Sequence, residues 1–499
     1  MQPSLLLGVR LVAAVPRNIL QAILGCGISL TLALILARIQ DHRLLLFACA
    51  GFLVLCCTLF LKFYKDEFWK GSDIPKILLS LTIFSSFIGP SIISVKVSSF
   101  SLFPYRILIV ALAGIYMIQV LKTRRMISFQ NLQVKPILGF FFFWMMYGIF
   151  AVSWSISPMD SIKELVYLIT GILIIFYVLH LYSEENNYRE FFVIWILMGL
   201  FLMGIGLINN LLQIHLPISR IYSAPLYQKT IPTSVFVNEN DFASFLAISF
   251  FFYVSLIKNG KKYIYSIIGI VGVLLSLYLI LVTSSRANYI AIAMGAVFWF
   301  LFVLKGRERR ILTYLGIPAV LAVVYLFYNQ LKSLFGMIAT QVLSLLPGGG
   351  DEGASVNIRQ NLLKNAKVFI ENTFGFGISP GTVERYMKEY SVFNTHNDFN
   401  IHNWWAEIFV HYGFIVFGGY VLIFVYLIYC LIKINRALQK EKQSMISEAL
   451  LCSLVVFIFA SISPNSFMAL NYNWLLVAFA IGYVNIYYHY VKNNGRKQC

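Results

Sequence analysis

Charged side chains are scarce in this sequence. Asp, Glu, Lys and Arg together supply 12% of it, against 59% hydrophobic residues and a mean hydropathy of +0.77. That balance excludes a soluble globular chain. Acidic residues are the scarcer half, 21 against 39 basic ones, for a formal net charge of +18. Cysteine is sparse as well. Cys26, Cys49, Cys56, Cys57, Cys430 and Cys452 fall in apolar runs and Cys499 is terminal, so no disulfide framework is expected. No internal repeat is strong enough to suggest an inverted-repeat transporter. The first apolar segment lacks a clear small-residue cleavage site and another follows at once, which predicts an uncleaved span rather than a signal peptide.

Apolar runs fill most of the rest. A bilayer-crossing helix needs roughly 20 apolar residues, and about fourteen such segments are present. They centre near Leu30, Leu53, Phe84, Ala113, Trp144, Gly171, Leu200, Ile248, Val271, Met294, Ala319, Val421, Val456 and Ala480. The predicted fold is all-α and polytopic. Residues 1–327 carry the first eleven spans, 328–403 form one long extracytoplasmic loop with short helices and the catalytic region, and 404–499 hold the last three spans.

Basic clusters recur at Lys62/Lys65/Lys70/Lys76, Lys122/Arg124/Arg125, Lys258/Lys261/Lys262, Lys305/Arg307/Arg309/Arg310, Lys433/Arg436/Lys440/Lys442 and Lys492/Arg496/Lys497. With this span count they all fall on one side, which the positive-inside rule makes cytoplasmic, together with both termini. Most of the net charge is therefore topogenic. It needs no nucleic-acid partner, and anionic membrane lipids are its natural counterions.

The segments left facing outward are 215–237, the short turn Ser284-Ser285-Arg286, and the loop from Tyr328 to Asn403. Arg286 follows an apolar run that resumes directly after it, and an ionisable group at membrane depth is a functional candidate by default. The bland alternative is a helix-end arginine snorkelling to head groups. Arg220 and Lys229 are two further outward cations. They precede Asn238-Glu239-Asn240-Asp241, where the asparagines read first as helix caps. A capped helix start also presents free N–H groups to an anion, so Arg220 or Lys229, with Asn240, is a candidate to join Arg286 around a phosphate.

In the long loop, Pro347–Gly350 reads as a hinge and 358–370 has the apolar spacing of an amphipathic helix on the bilayer surface. The glycine-rich turn Phe374–Gly381 is far from a phosphate-binding fingerprint, because no strand precedes it. His402 is the candidate general base, since imidazole titrates near neutral pH. Asn403, Trp404 and Trp405 place it at a water–lipid boundary, where a tryptophan face suits a sugar ring. His396 is its rival and His411 a third. No cysteine or paired-carboxylate spacing supports a metal site.

Several of these residues together resemble the O-antigen ligase and O-antigen polymerase superfamily of bacterial envelope glycosyltransferases, which includes teichuronic acid polymerases. Trp154-Ser155-Ile156-Ser157-Pro158 is similar to its Trp-Ser-x-x-Pro turn, and Phe236-Val237-Asn238-Glu239-Asn240 to its Phe-x-Asn-x-Asn helix start. Thr283-Ser284-Ser285-Arg286 resembles its Ser-Arg motif, and Arg359 with Phe374-Gly375-Phe376-Gly377 its long-loop pattern. His402-Asn403, with Gly413 beyond, has the spacing of its His-Asn signature.

The resemblance implies that Arg286 contacts the diphosphate of a polyprenyl-linked glycan and that His402 activates the acceptor hydroxyl. It implies inverting polymerisation at the outer face of the bacterial cytoplasmic (inner) membrane. A flippase and a chain-length regulator of the same pathway are the implied partners. Because the donor arrives activated and arginine can meet the leaving charge, neither a nucleotide nor a metal cofactor is expected. Two alternatives stand beside it: ligase-type transfer of a finished glycan to a lipid or protein, and a polysaccharide flippase or transporter.

Overall fold

The computed structural model describes residues 74–495, apart from 317–352 and short breaks at 93, 98–99, 124–128, 130–131, 441–442 and 465–466. The apolar runs near Leu30, Leu53 and Ala319, the hinge at Pro347–Gly350 and both ends of the chain lie outside the described residues.

The elements run α1 (Ile74–Ser86), a short hairpin β1 (Val95–Val97) and β2 (Phe100–Leu102), α2 (Pro104–Thr123), α3 (Lys135–Ala151), α4 (Pro158–Leu181) and α5 (Glu185–Leu212). Then come α6 (Glu239–Asn259), α7 (Tyr263–Thr283), α8 (Arg286–Phe298), α9 (Gly306–Ile311), α10 (Gly353–Asn372), α11 (Val383–Tyr390), α12 (Trp404–Lys440), α13 (Met445–Ala460) and α14 (Asn471–Gly495). β1 and β2 pair antiparallel, Val95 opposite Leu102. Among the described residues nine helices are long and apolar enough to cross a membrane, and α1 and α13 are shorter apolar helices. Each stands where an apolar run predicts it. Helix is the outcome because lipid offers no partner for an open backbone.

α6 is the most deeply buried of these spans and packs on α5, α7, α8 and α13. Small residues let the backbones close up: a Cβ on Gly272 of α7 would meet the Tyr253 ring at 2.2 Å. Hydrogen bonds then tie the helices across the apolar interior. Trp195 Nε1 donates to Ser249 Oγ at 3.0 Å, Tyr253 Oη to the Ile196 carbonyl at 3.0 Å, and Ser453 Oγ to the Ile248 carbonyl at 2.7 Å.

The two ends of the bundle differ in kind. At one end Lys258 Nζ reaches Glu448 Oε2 at 2.9 Å and Glu308 at 3.4 Å, while Lys305 Nζ donates to the Gln439 carbonyl at 2.7 Å. These basic segments were expected on a common side, and they meet there. At the other end lie the α5–α6 connection, the α7–α8 turn and the folded segment from α10 to α12.

That folded segment has its own small core, formed by Leu362, Phe369, Ile378, Met387, Ile401 and Val410. The helix expected over 358–370 is there as α10, but its apolar face closes this core rather than lying on the bilayer surface. Asn365, fully buried, clamps the return path: its Nδ2 donates to the Phe393 carbonyl, and its Oδ1 accepts from the Val392 and Phe393 N–H groups.

Three sequence motifs meet beneath it. Trp154 Nε1 donates to the Gly377 carbonyl at 3.1 Å, and Ser161 Oγ lies 3.1 Å from Ser379 Oγ. α12 breaks at Gly413 (φ 75°, ψ −175°), where a Cβ would stand 2.3 Å from the Gly375 carbonyl. Trp154, the glycine-rich turn and Gly413 are therefore one structural joint that seats the loop on the bundle.

Candidate active site

Two helices begin at one place. Asn238 caps α6, its Oδ1 accepting from the Asp241 N–H at 2.9 Å. α7 ends on Ser284 in the left-handed region (φ 55°), so Ser284 and Ser285 alone turn the chain into α8, and Arg286 becomes its first residue. Ser285 Oγ donates to Asn240 Oδ1 at 2.8 Å and accepts from Asn288 Nδ2 at 2.9 Å. One hydroxyl thus locks the N-termini of α6 and α8 side by side. Helix N-termini carry partial positive charge and free N–H groups, which suit an anion.

Beside them is a cavity of about 460 Å³. Glu239, Asn240, Ser285, Arg286, Arg359 and Ser463 supply its polar lining, and Ile290, Phe459 and Ile462 an apolar wall. Arg359 comes from α10, more than seventy residues after Arg286 in the chain. Burial holds its guanidinium below the ordinary arginine range, the charge of Arg286 pushes the same way, and Asp398 opposes them. Two partly desolvated guanidinium groups facing one space favour a multiply charged anion between them.

His402 does not line the cavity, but its partner Asp398 acts on Arg359, which does. Its N–H is held by Asn400 Oδ1 at 2.9 Å, and two residues on the Trp404 N–H donates to the Ser461 carbonyl at 3.0 Å. That contact seats the segment before α12 against the turn whose next residues, Ile462 and Ser463, line the cavity. Asn403 caps α12, accepting from the N–H groups of Trp405 and Ala406. His402 Nε2 lies 3.4 Å from Asp398 Oδ2, a long contact of the kind that tightens when the ring charges. The hydrogen bond from His402 holds the Asp398 carboxyl below the usual carboxylate range, with burial opposing; the charge of His402, the Asn400 N–H and Arg359 act in the same direction as the bond. The other ring nitrogen, Nδ1, is buried with no hydrogen-bond partner. With Nε2–H turned to the carboxylate, Nδ1 carries the lone pair of the ring.

The remaining predicted residues separate. Arg220 grips Glu239 with two nitrogens, Nε to Oε2 at 2.7 Å and Nη2 to Oε1, and does not itself line the cavity. Lys229 gives its carbonyl to His215 Nε2 at 2.8 Å and does not line the cavity. The cation sharing the cavity with Arg286 is thus Arg359, not either of the two weighed for that place. His396 is exposed. Trp404, expected as a sugar platform, is 3% exposed: its ring packs on Trp144, Tyr420 and Trp474, and its Nε1 donates to Tyr420 Oη. A ring enclosed on its faces cannot stack on a ligand. His411 is buried within α12, its carbonyl under Gly377.

Residue types alone did not single out Glu239 or the 461–463 turn. An acidic residue in a first helical turn reads as dipole stabilisation, and serines after an apolar run read as a loop. Asp398 carried one signal, its place four residues before His402.

The chain matches the family model described as O-Antigen ligase over residues 271–421, a stretch that contains Arg286, Arg359 and His402. It is 34% identical over 469 residues to the teichuronic acid biosynthesis protein TuaE of Bacillus subtilis (strain 168), covering 91% of this chain and 96% of that relative.

Proposed function

The chain belongs to the O-antigen ligase family, and from that premise we propose that it is a membrane glycosyltransferase that polymerises polyprenyl-diphosphate-linked repeat units at the outer face of the bacterial cytoplasmic membrane. A relative named for teichuronic acid biosynthesis supports an envelope polysaccharide as the product. The observation that carries the reading is the meeting of Arg286 and Arg359 in one cavity at two helix N-termini, with the charge of Asp398, the partner of His402, felt at Arg359.

In this reading the two guanidinium groups and the α6 and α8 N-termini hold the diphosphate, and the wall of Ile290, Phe459 and Ile462 takes the start of the lipid tail. His402 accepts the proton of the acceptor hydroxyl as its oxygen attacks the anomeric carbon. The bond from that carbon to the diphosphate oxygen breaks with its electron pair going to the diphosphate, whose charge the arginines meet. Attack opposite the leaving group inverts the anomeric centre. Asp398 stabilises the imidazolium and fixes its tautomer.

The test is purified protein with its lipid-linked oligosaccharide, products sized on a gel. A ladder supports polymerisation. A single addition to a separate acceptor would make it a ligase, and no transfer would sink the enzyme reading in favour of transport.

A further inference from the structure

Among the described residues that line the cavity, Glu239 is the only acidic one. It shares that space with two arginines and two positive helix ends, so an uncompensated carboxylate would work against the anion they suit. It is not uncompensated. The Arg220 fork spans both of its oxygens, with Nε on Oε2 at 2.7 Å and Nη2 on Oε1. The Glu239 side chain is 13% exposed and that of Arg220 51%; Glu239 lines the cavity and Arg220 does not.

A carboxylate has roughly four lone-pair sites. The fork fills two, and two remain to accept. A polyprenyl diphosphate brings only acceptors and negative charge, so Glu239 gains nothing from it. The donors on a lipid-linked glycan are its hydroxyls, and the first of these lie on the sugar joined to the diphosphate. A cavity of about 460 Å³ is in the range that holds a small ligand of that kind.

We infer that Glu239 accepts hydrogen bonds from hydroxyls of the diphosphate-linked sugar, and that Arg220 is a positioning residue which orients Glu239 and cancels its charge toward the diphosphate. The inference rests on the diphosphate reading of Arg286 and Arg359. A carboxylate serving only the helix dipole would need neither a place in the cavity wall nor a guanidinium spanning both oxygens.

Two ligands separate the roles: bare undecaprenyl diphosphate, and the lipid-linked repeat unit isolated from membranes of the source cell. Binding of both is measured to the full-length protein in nanodiscs. Glu239→Gln should weaken the sugar-bearing lipid about tenfold and leave the bare lipid within about twofold, the size expected for lost charge-assisted hydrogen bonds. Arg220→Ala should weaken both, because the carboxylate then faces the diphosphate unshielded. Arg220→Ala with Glu239→Gln should recover the bare lipid but not the sugar-bearing one, and it carries the comparison if Glu239→Gln alone does not assemble. Equal loss on both ligands in Glu239→Gln, or no loss on either, overturns the inference. Wild-type protein that ignores the bare lipid would instead overturn the diphosphate reading beneath it.

Discussion

His402 Nε2 points to Asp398 Oδ2 at 3.4 Å while Nδ1 of the same ring is buried without a partner. The loop between them is not helical, so the pairing comes from two turns: Asp398 Oδ1 accepts the Asn400 N–H, and Asn400 Oδ1 accepts the His402 N–H. His402→Ala should abolish transfer while bound donor persists, since a general base contributes about 10²–10⁴ in rate and touches no phosphate. His402→Gln, which keeps hydrogen bonding, should be equally inactive. An active Gln variant would make the histidine structural. Asp398→Asn should lower the rate less, leave donor affinity unchanged, and leave His396→Ala as its unaffected comparison.

The same pair sets a pH dependence. The Asp398 carboxyl is held below the usual range by His402, so its stabilisation of the loop is complete above the unfolded carboxylate pKa of about 4 and is lost as pH falls through the lower folded value. Loop protection from protease, followed from about pH 7 down to about pH 3, should therefore fall only at the acid end. Asp398→Asn should remove that step. A loss centred near neutrality would point to another group.

Arg286→Lys keeps the charge and loses the planar fork that matches two phosphate oxygens. Transfer should drop severely, and so should that of Arg359→Lys. Arg310→Lys, on an exposed side chain at the opposite end, should be neutral. Normal glycan synthesis in both cavity variants at normal protein levels would reduce the two arginines to membrane anchors.

What was legible in the sequence follows from what is local. Each described span stands on its apolar run, because a run of that length has one solution in lipid. Ser284–Arg286 was legible as a short turn carrying a cation at membrane depth. The partner of Arg286 was not, since Arg359 reaches it only through the packing of Leu362, Phe369 and Ile370 against Ile378 and Ile401. His402 was preferred to His396 from its neighbours; what they did not reveal is the pair of turns at Asn400 and Asn403 that holds it. Trp404 went the other way. A tryptophan after a polar loop suggests an interface ring, and only the aromatic cluster around Trp144 draws it inside.

Glu448, buried in α13, accepts from Trp299 Nε1 at 2.7 Å, Lys258 Nζ at 2.9 Å and Asn259 Nδ2 at 3.2 Å. Removing one partner strands the rest, at a cost of about 3–5 kcal/mol. Glu448→Ala should lower the thermal midpoint in detergent by several degrees. Glu448→Leu with Lys258→Met, which removes both charges, should recover most of it. If the double variant is as unstable as the single, the pair is not what holds this end together.

Gly413 and Gly418 lie on the same helix and make a matched test of the joint under the loop. At Gly413 the backbone is left-handed, and a Cβ would meet the Gly375 carbonyl at 2.3 Å and the Phe376 backbone at 2.6 Å. Neither is a side chain that can swing away. At Gly418 nothing lies within 4 Å. Gly413→Ala therefore carries both a conformational cost of about 1–3 kcal/mol and a displaced turn. The displacement would shift α10, which carries Arg359, and the first turn of α12, which Asn403 caps. Gly413→Ala should lose transfer and become sensitive to protease within 372–383, while Gly418→Ala behaves as wild type. Two variants of equal stability and activity would mean the loop is not seated through this glycine.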